Sequence, residues 1–285
     1  MQRLFAIAFA CAVLALSACT TMSSTPAAPA EQVAITADVV YGHKDGMALV
    51  YDVFRPANAN GSAVLYMVSG GWFSIWQPPQ TRIAMFEPLF EKGISVIAVH
   101  HGSAPRFKVP DAVADVRRAV RHVRLNAANY RIDANRLGVW GGSAGGHLSL
   151  MLGLASDNGN PESKDPVERV SDSVKTVVAF FPPVDLRKWV GPNERFPALD
   201  FDAKLAADVS PILFVDANDP PTLIVHGTAD RVVPFSHGKS IYEALQAAGV
   251  DAQLLVMEGG DHGFPNKQQR EQANRAMVDW FASRL

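Results

Sequence analysis

Cysteine is nearly absent from this chain, which contains only Cys11 and Cys19 among its 285 residues. Both lie close to the N-terminus, so everything after residue 19 lacks a thiol. A disulfide framework is therefore excluded, and the folded part of the protein must depend on its hydrophobic core for stability.

An excess of charge of either sign is also missing. The chain has 26 Lys and Arg residues against 28 Asp and Glu residues, which gives a formal net charge of -2. A nucleic-acid-binding protein is expected to carry a basic surface, so nucleic acid is excluded as a partner. The eight histidines include no pair with metal-ligand spacing beside a carboxylate or thiolate, so neither a metal nor another cofactor is predicted.

Long apolar runs are absent except at the N-terminus. There, residues 4–16 are almost wholly apolar, follow Arg3 and precede the small residues Ser17 and Ala18, an order typical of a secretory signal peptide. The run is shorter than the roughly 20 residues that a transmembrane helix needs, which indicates a segment that is removed rather than one that spans the membrane.

Residues 16–19, Leu-Ser-Ala-Cys, resemble the lipobox of bacterial lipoproteins. The resemblance implies cleavage after Ala18 and a lipid on Cys19 that attaches the mature protein to a membrane. Because Thr20 rather than Asp follows, the resemblance to bacterial sorting signals implies a place on the periplasmic side of an outer membrane. The alternative is an ordinary secretory signal that contains a chance cysteine.

Three segments are predicted along the chain: a signal peptide over residues 1–18, a flexible tether over residues 19–34 and one folded domain over residues 35–285. The tether is rich in Ser, Thr, Pro and Ala and has no apolar period. The remainder shows no internal repeat and no second linker, so we expect a single domain.

Short β-branched runs alternate with longer amphipathic segments throughout residues 35–285. We predict eight strands, at residues 39–42, 48–54, 63–68, 95–99, 136–140, 176–180, 222–225 and 253–257. We predict helices over residues 111–126, 145–154, 236–248 and 268–285. The first two strands alternate in polarity and are expected to pair antiparallel at a sheet edge, whereas the later apolar runs are typical of buried parallel strands. The predicted fold class is α/β, with a mostly parallel eight-stranded sheet between helices.

The motif Gly141-Gly142-Ser143-Ala144-Gly145 matches G-x-S-x-G and lies between a predicted strand and a predicted helix. Such a turn holds its serine in a strained conformation with the hydroxyl exposed, and the flanking glycines let strand and helix approach closely. We therefore predict that Ser143 is a nucleophile and that the N–H of Ala144 stabilises an oxyanion. The alternative is a glycine-rich turn that contains an incidental serine.

A serine nucleophile needs a base, and the base needs an acid to orient it. Asp230 follows a predicted strand, and His262 lies in a glycine-rich loop after the last predicted strand. This gives the chain order serine, acid, base and places all three at one edge of the sheet. Asp219 and Asp261 are alternative acids, but Asp219 precedes its strand and Asp261 is adjacent to the histidine in sequence.

The stretches "DANRLGVWGGSAGGH", "HGTADRVVP" and "DHGF" resemble the α/β-hydrolase superfamily, in particular carboxylesterases related to hormone-sensitive lipase and to bacterial feruloyl and acetyl-xylan esterases. The resemblance implies an α/β-hydrolase fold with Ser143 as nucleophile, Asp230 as acid and His262 as base. It also implies that the loop "VSGGWFSIW" corresponds to the H-G-G-G-W loop of the family, which supplies the other oxyanion donors.

This oxyanion loop departs from the family pattern, and two alignments stay open. Alignment on Trp72 makes Gly70 and Gly71 the donors and puts Val68 where the family has a supporting histidine. Alignment on Ser69 makes Gly71 and Trp72 the donors. Gly71 is a donor in either case.

Two further segments are expected to shape a substrate pocket. Residues 182–211, here called the flap, mix charged and apolar residues and are too few for a cap domain. His100 and His101 end another predicted strand on the catalytic edge, where we expect them to line the pocket.

Trp72, Phe73 and Trp76 form an aromatic group that either stacks on a sugar or aryl ring or packs in the core. The predicted function is that of a serine hydrolase that cleaves small-molecule esters with a short acyl group on a small alcohol or sugar. A peptidase of the prolyl-oligopeptidase type and a non-catalytic binding lipoprotein are the alternatives.

Overall fold

One sheet of eight strands runs through residues 33–285, the part of the chain that the computed structural model describes. The strands are β1 (Ala34–Lys44), β2 (Met47–Arg55), β3 (Ala63–Met67), β4 (Ser95–Val99), β5 (Leu137–Gly142), β6 (Thr176–Phe180), β7 (Thr222–Gly227) and β8 (Ala252–Met257). The predicted signal peptide, Cys19 and nearly all of the predicted tether lie outside the described residues.

The strands follow the order β1-β2-β4-β3-β5-β6-β7-β8 across the sheet. β1 pairs with β2 and β2 with β4 in antiparallel orientation, whereas all remaining neighbours are parallel. Every residue of β4, β6 and β7 is buried, which explains why these strands read as continuous apolar runs. The predicted mostly parallel sheet with an antiparallel pair at its edge is confirmed.

Within the described chain, five α-helices cover the two faces of this sheet. They are α1 (Ile83–Phe90), α2 (Val109–Leu125), α3 (Ala144–Leu154), α4 (Ser236–Ala247) and α5 (Lys267–Arg284). Side chains of α2, α3 and α4 share one buried apolar cluster, and those of α1 and α5 share the other. The domain therefore has three layers, helix, sheet and helix. No helix in residues 33–285 has both the length and the apolar character needed to cross a membrane.

Helix α1 has no counterpart among the predicted helices. It is only 8 residues long and contains Pro88, so the sequence lacks the sustained period that indicates a helix. Tertiary packing stabilises it, because Phe86, Leu89 and Phe90 are buried against the strands and α5.

Strand β1 is longer than predicted, since it begins at Ala34 rather than at residue 39. Its pairing with β2 shifts register between Thr36 and Val39, where Asp38 has a φ of 51°. This bulge interrupts the alternation of polar and apolar residues. For that reason, only the second part of the strand was recognisable from the sequence.

The parallel strands determine where the predicted site residues meet. The carboxyl ends of parallel neighbours lie at the same edge of a sheet, and Ser143, Asp230 and His262 follow the ends of β5, β7 and β8. Ser143 and His262 are 119 positions apart in sequence. The sheet therefore brings these two residues together, because no local segment of the chain contains both.

Candidate active site

Ser143 occupies the sharp turn between β5 and α3. Its backbone has a φ of 54° and a ψ of -120°, a conformation that strains any residue with a side chain. A Cβ on Gly141 would lie 2.4 Å from the carbonyl carbon of Gly145, and a Cβ on Gly145 would lie 2.9 Å from Met67 O. The turn therefore requires glycine on both sides, and the hydrogen bond from Ser143 N–H to Phe180 O at 2.9 Å holds it on the sheet edge.

Three side chains form a continuous hydrogen-bonded chain at this edge. His262 Nε2 lies 2.9 Å from Ser143 Oγ, and His262 Nδ1 lies 2.7 Å from Asp230 Oδ2. An ionised carboxylate can only accept, so His262 Nδ1 carries the proton and Nε2 is left to accept from the Ser143 hydroxyl. The structure thus brings together the residues predicted as nucleophile, base and acid, in the orientation that general base catalysis requires.

Asp230 is held by more than His262. Its Oδ1 accepts the N–H groups of Val232 at 2.8 Å and Val233 at 2.9 Å, and His226 Nε2 lies 3.5 Å from its Oδ2. Burial by itself raises the pKa of Asp230, but the hydrogen bonds from His226, His262 and the two N–H groups outweigh burial and hold the pKa well below its usual range. The carboxylate is therefore ionised at neutral pH.

His226 is a member of this site that was not identified from the sequence. Its side chain is fully buried at the end of β7, and Nε2 donates to Val233 O at 2.9 Å, so that Nε2 carries the proton that also faces Asp230. The backbone of Gly238 covers the other ring nitrogen, since a Cβ on Gly238 would lie 2.4 Å from Nδ1. The available signal was the His-Gly pair that precedes Asp230 in the sequence.

The two alternative acids make no contact with the imidazole of His262. Asp261 pairs with Arg231, whose hydrogen bonds lower the pKa of Asp261 to about 2, and it accepts the backbone N–H of His262 at 2.8 Å. Asp219 precedes β7 at the opposite edge of the sheet, where burial raises its pKa to about 6. Among residues 33–285, no group of three or more His, Cys, Asp or Glu side chains is arranged to hold a metal ion.

The N–H groups that the loop after β3 leaves free agree with only one of the two predicted alignments. The Gly70 N–H donates to Phe73 O at 3.0 Å, and the Phe73 N–H donates to Gly70 O at 3.0 Å. Gly70 is therefore not available as an oxyanion donor, which corrects the first of the two alignments. The N–H groups of Gly71, Trp72 and Ala144 make no hydrogen bond within the described residues, as the second alignment requires.

His101 supports this loop from behind. Its ring is 5% exposed, with Nδ1 2.9 Å from Gly102 O and Nε2 2.9 Å from Ser69 Oγ. Burial lowers the pKa of His101 to about 4, so the neutral ring donates from Nδ1 and accepts the Ser69 hydroxyl proton at Nε2. His100 is 6% exposed and lies 3.7 Å from the buried Asp52. The structure does not support the prediction that the two histidines line the pocket, because both side chains are buried, His101 against Ser69 of the loop and His100 beside Asp52 of β2.

Trp72 and His147 connect the loop to α3 and to the flap. Trp72 is 3% exposed and its Nε1 donates to His147 Nδ1 at 3.4 Å. Fully buried His147 donates from Nε2 to Val209 O at 2.7 Å, and burial lowers the pKa of His147 to about 4. Trp72 lies in the core with Phe73 packed against it, which is the second of the two alternatives for the aromatic residues. Trp76 lies apart from them, 51% exposed, and donates to Asp38.

Known proteins resemble this chain in sequence. The pattern of the BD-FAE family matches residues 51–245. The chain belongs to the BD-FAE family. Esterase LipC from Mycobacterium tuberculosis is 30% identical over 241 residues, which cover 79% of this chain and 59% of that protein. An acetylxylan esterase from Xylanibacter ruminicola is 28% identical over 220 residues, which cover 74% of this chain and only 42% of that protein.

Solved structures resemble this BD-FAE family member over nearly its whole length. A truncated carbohydrate esterase from gut microbiota has a TM-score of 0.74 at 27% identity and covers 91% of this chain and 98% of its own. The apo form of esterase 2 from Thermogutta terrifontis has a TM-score of 0.72 at 27% identity, with 90% and 96% covered. The fold is thus the α/β-hydrolase fold that was predicted.

Acid is expected to destabilise this domain through its buried histidines. The pKa of His147 is about 4 in the folded protein against its ordinary value of 6.5, so between these values the unfolded chain binds more protons than the folded one. The stabilising contribution of the neutral ring is present above pH 6.5 and is lost as the pH falls towards 4. This loss lowers the free energy of unfolding by an amount on the order of 3 kcal/mol.

Urea unfolding between about pH 7 and about pH 4.5 measures this contribution. We expect His147→Gln, which keeps a donor and an acceptor but does not titrate, to reduce the decline in the free energy of unfolding. The control is His43→Gln at an exposed position, which is expected to leave the decline unchanged. The same decline in the wild type and in His147→Gln would contradict this account.

Proposed function

We propose that this protein is a serine hydrolase that cleaves carboxylic esters through a covalent acyl-enzyme. The main observation in support is that His262 is hydrogen-bonded to both Ser143 and Asp230. The distance from Nε2 to Ser143 Oγ is 2.9 Å and that from Nδ1 to Asp230 Oδ2 is 2.7 Å. Its family relatives support the proposal, since LipC, LipQ and the acetylxylan esterase are all named as esterases. The structural neighbours named above are esterases as well.

The geometry supports a two-step reaction. Ser143 Oγ attacks the ester carbonyl carbon while His262 Nε2 takes the hydroxyl proton. The carbon–oxygen bond to the alcohol then breaks, and His262 gives the proton to the departing oxygen, which leaves an acyl group on Ser143. Water attacks this acyl group with the same imidazole as base, so that the acid is released and the serine hydroxyl is restored.

Asp230 acts through His262. Its negative charge stabilises the imidazolium that forms when Nε2 takes the proton, and its hydrogen bond fixes the proton on Nδ1 in the resting state. The hydrogen bonds that lower the pKa of Asp230 keep this charge in place. His226 contributes to that set from a fully buried position.

Backbone N–H groups are suited to the negative charge that develops on the carbonyl oxygen. Those of Gly71, Trp72 and Ala144 have no partner within the described residues. Gly71 and Trp72 have φ values of 58° and 59°, and the Ala104 N–H holds the loop by donating to Trp72 O at 3.1 Å. Donors fixed in advance in this way contribute about 3 kcal/mol each to lowering the barrier.

The flap favours a short acyl group. The helical pieces in the flap and directly after it, between Pro197 and Leu213, are single turns of 3 residues. Phe196 lies over the oxyanion loop, since a Cβ on Gly71 would be 3.0 Å from Phe196 Cδ1, and Lys108 Nζ holds the flap by donating to Pro197 O at 2.8 Å. Structures of Thermogutta terrifontis Est2 with butyrate or propionate bound support this substrate class.

The alcohol part of the ester is proposed to be a small alcohol or a sugar. The names of two similar proteins, an acetylxylan esterase and a carbohydrate esterase, support the sugar. A peptidase and a non-catalytic binding protein are the competing functions, and each predicts a different result in the assay below.

We propose in addition that the chain is a lipoprotein attached through Cys19. The support is the Leu-Ser-Ala-Cys sequence at residues 16–19, followed by a stretch rich in Ser, Thr, Pro and Ala. Two or more acyl chains give stable membrane attachment, whereas a single chain is marginal. The location that follows is the periplasmic side of an outer membrane.

The proposed activity is tested with p-nitrophenyl esters, a prolyl amide and a fluorophosphonate probe. We expect Ser143→Ala to lose both turnover and labelling, and Asp230→Asn to lower kcat by about 10⁴ because the imidazole proton moves to the wrong nitrogen. Asp261→Asn is the matched control, since that carboxylate pairs with Arg231, and we expect it to change kcat far less. Full activity of Ser143→Ala, or faster cleavage of the prolyl amide than of the acetate ester, would refute the proposal.

The proposed role of Phe196 is tested by the length of the acyl chain. We expect the wild type to have its highest kcat/KM at about two to four acyl carbons, because a longer chain meets the flap. Phe196→Ala is expected to raise the ratio of octanoate to acetate hydrolysis by about tenfold or more. Leu205→Ala, at a flap residue that is 42% exposed, is the control, and an unchanged ratio in Phe196→Ala would exclude this role.

Lipidation is tested by expression of the full chain and fractionation of the cells. We expect the wild type in the outer-membrane fraction with a mass shift on Cys19, and Cys19→Ser in the soluble fraction. Cys11→Ser changes the other cysteine of the chain and is expected to behave like the wild type. Equal recovery of the wild type and Cys19→Ser as soluble protein would rule out the lipid.

A further inference from the structure

A cavity of about 310 Å³ opens beside the beginning of α4, apart from Ser143 and its partners. Its polar and aromatic lining comes from Asp185, Lys188, Trp189, Ser236, His237 and Ser240. The volume is at the lower end of the range for small-molecule sites, which is about 300–1,000 Å³. An aromatic wall with a few convergent polar groups is the usual composition of such a site.

The two rings of the cavity are held in fixed positions. The Val184 N–H donates to His237 Nδ1 at 3.1 Å, so the ring proton of His237 is on Nε2. The ring centroids of Trp189 and His237 are 4.8 Å apart at an interplanar angle of 59°. Trp189 N–H donates to Leu186 O at 2.8 Å, which closes the turn that carries the indole. The half-buried indole is thus braced on one side by an imidazole.

Several hydrogen-bonding groups of the cavity have no partner within residues 33–285. His237 Nε2, Lys188 Nζ and the Ser236 hydroxyl make no hydrogen bond or ion pair there. The Asp185 carboxylate accepts from Arg187 at 2.9 and 2.7 Å, which compensates its charge. Lys188 and Ser236 are exposed and His237 is half-buried. Donors that line a cavity together with an aromatic side chain match a sugar ring, which has many hydroxyl oxygens and an apolar face.

One short segment connects this cavity to the catalytic edge. The Phe181 ring lies 4.6 Å from the ring of His262, and three positions later Val184 donates to His237. Residues 181–189 therefore contact both the catalytic histidine and the aromatic wall. A stretch of nine residues thus joins the two places along the chain, and Phe181 and Val184 are themselves buried.

We propose that the cavity at Trp189 is a subsite for a sugar ring of a carbohydrate substrate, bound away from the ring that carries the ester. The inference rests on the proposed esterase function, because it assigns the alcohol part of the same substrate. It predicts that Trp189 contributes to binding of an oligosaccharide ester and has no effect on a small synthetic ester.

Kinetics with two acetate esters test this division. We expect Trp189→Ala to raise KM for an acetylated xylo-oligosaccharide by about five- to tenfold with little change in kcat, and to leave both constants for p-nitrophenyl acetate unchanged. Trp189→Tyr is expected to restore most of the affinity, since it keeps an aromatic face. Leu125→Ala is the control, at an apolar residue that is 45% exposed at the end of α2. An equal effect of Trp189→Ala on both esters, or an effect of Leu125→Ala instead, would overturn the proposal.

A binding measurement separates this inference from the proposed activity. Calorimetric titration of Ser143→Ala with the unesterified oligosaccharide is expected to give binding that the double variant Ser143→Ala/Trp189→Ala lacks. If the oligosaccharide binds through Trp189 but the wild type hydrolyses no ester, the proposed sugar subsite is supported and the proposed esterase activity is refuted. Ester hydrolysis without oligosaccharide binding, or binding that survives in the double variant, would refute the sugar site alone.

Discussion

The close approach of β5 and α3 at Ser143 is the constraint on which the site depends. A single methyl group on Gly141 would overlap the backbone of Gly145, and the turn between them holds Ser143 at a φ of 54°. Such strain persists only where the surrounding packing fixes it, and here every residue of α3 is buried. The serine hydroxyl is consequently fixed at the sheet edge before any substrate arrives, so that the loops after β7 and β8 need only bring their side chains to it.

Those two loops position each other through backbone contact. A Cβ on Gly227 would lie 2.1 Å from Gly260 O, and the Ala229 N–H donates to the same oxygen at 3.0 Å. The contact brings Asp230 and His262 within 2.7 Å although one follows β7 and the other follows β8. Hydrogen bonds hold the Asp230 carboxylate in one orientation and keep it ionised. The proposed role of His262 as a base requires both.

Buried neutral histidines hold the loop after β3, which is proposed to supply the oxyanion donors. His101 comes from the end of β4 and bonds Ser69, while His147 comes from α3 and joins Trp72 to the flap. Burial lowers the pKa of both histidines to about 4, so each ring offers one donor and one acceptor, and each finds partners for both. A loop that lacks the supporting histidine of the family pattern is thereby held by two elements distant in sequence.

The sequence by itself determined the strands of the sheet, the helices with a sustained apolar period and the turn at Ser143, because apolar runs and glycine spacing act within a few neighbouring residues. It also determined the order of Ser143, Asp230 and His262 along the chain. Only the tertiary structure decided that α1 forms despite Pro88 and that Gly70 is bonded within its own loop. The tertiary structure also decided that the buried His101 and His147 hold the loop after β3 in place. Each of these outcomes depends on partners supplied by distant segments, and a buried donor or acceptor takes its role from the partner it finds.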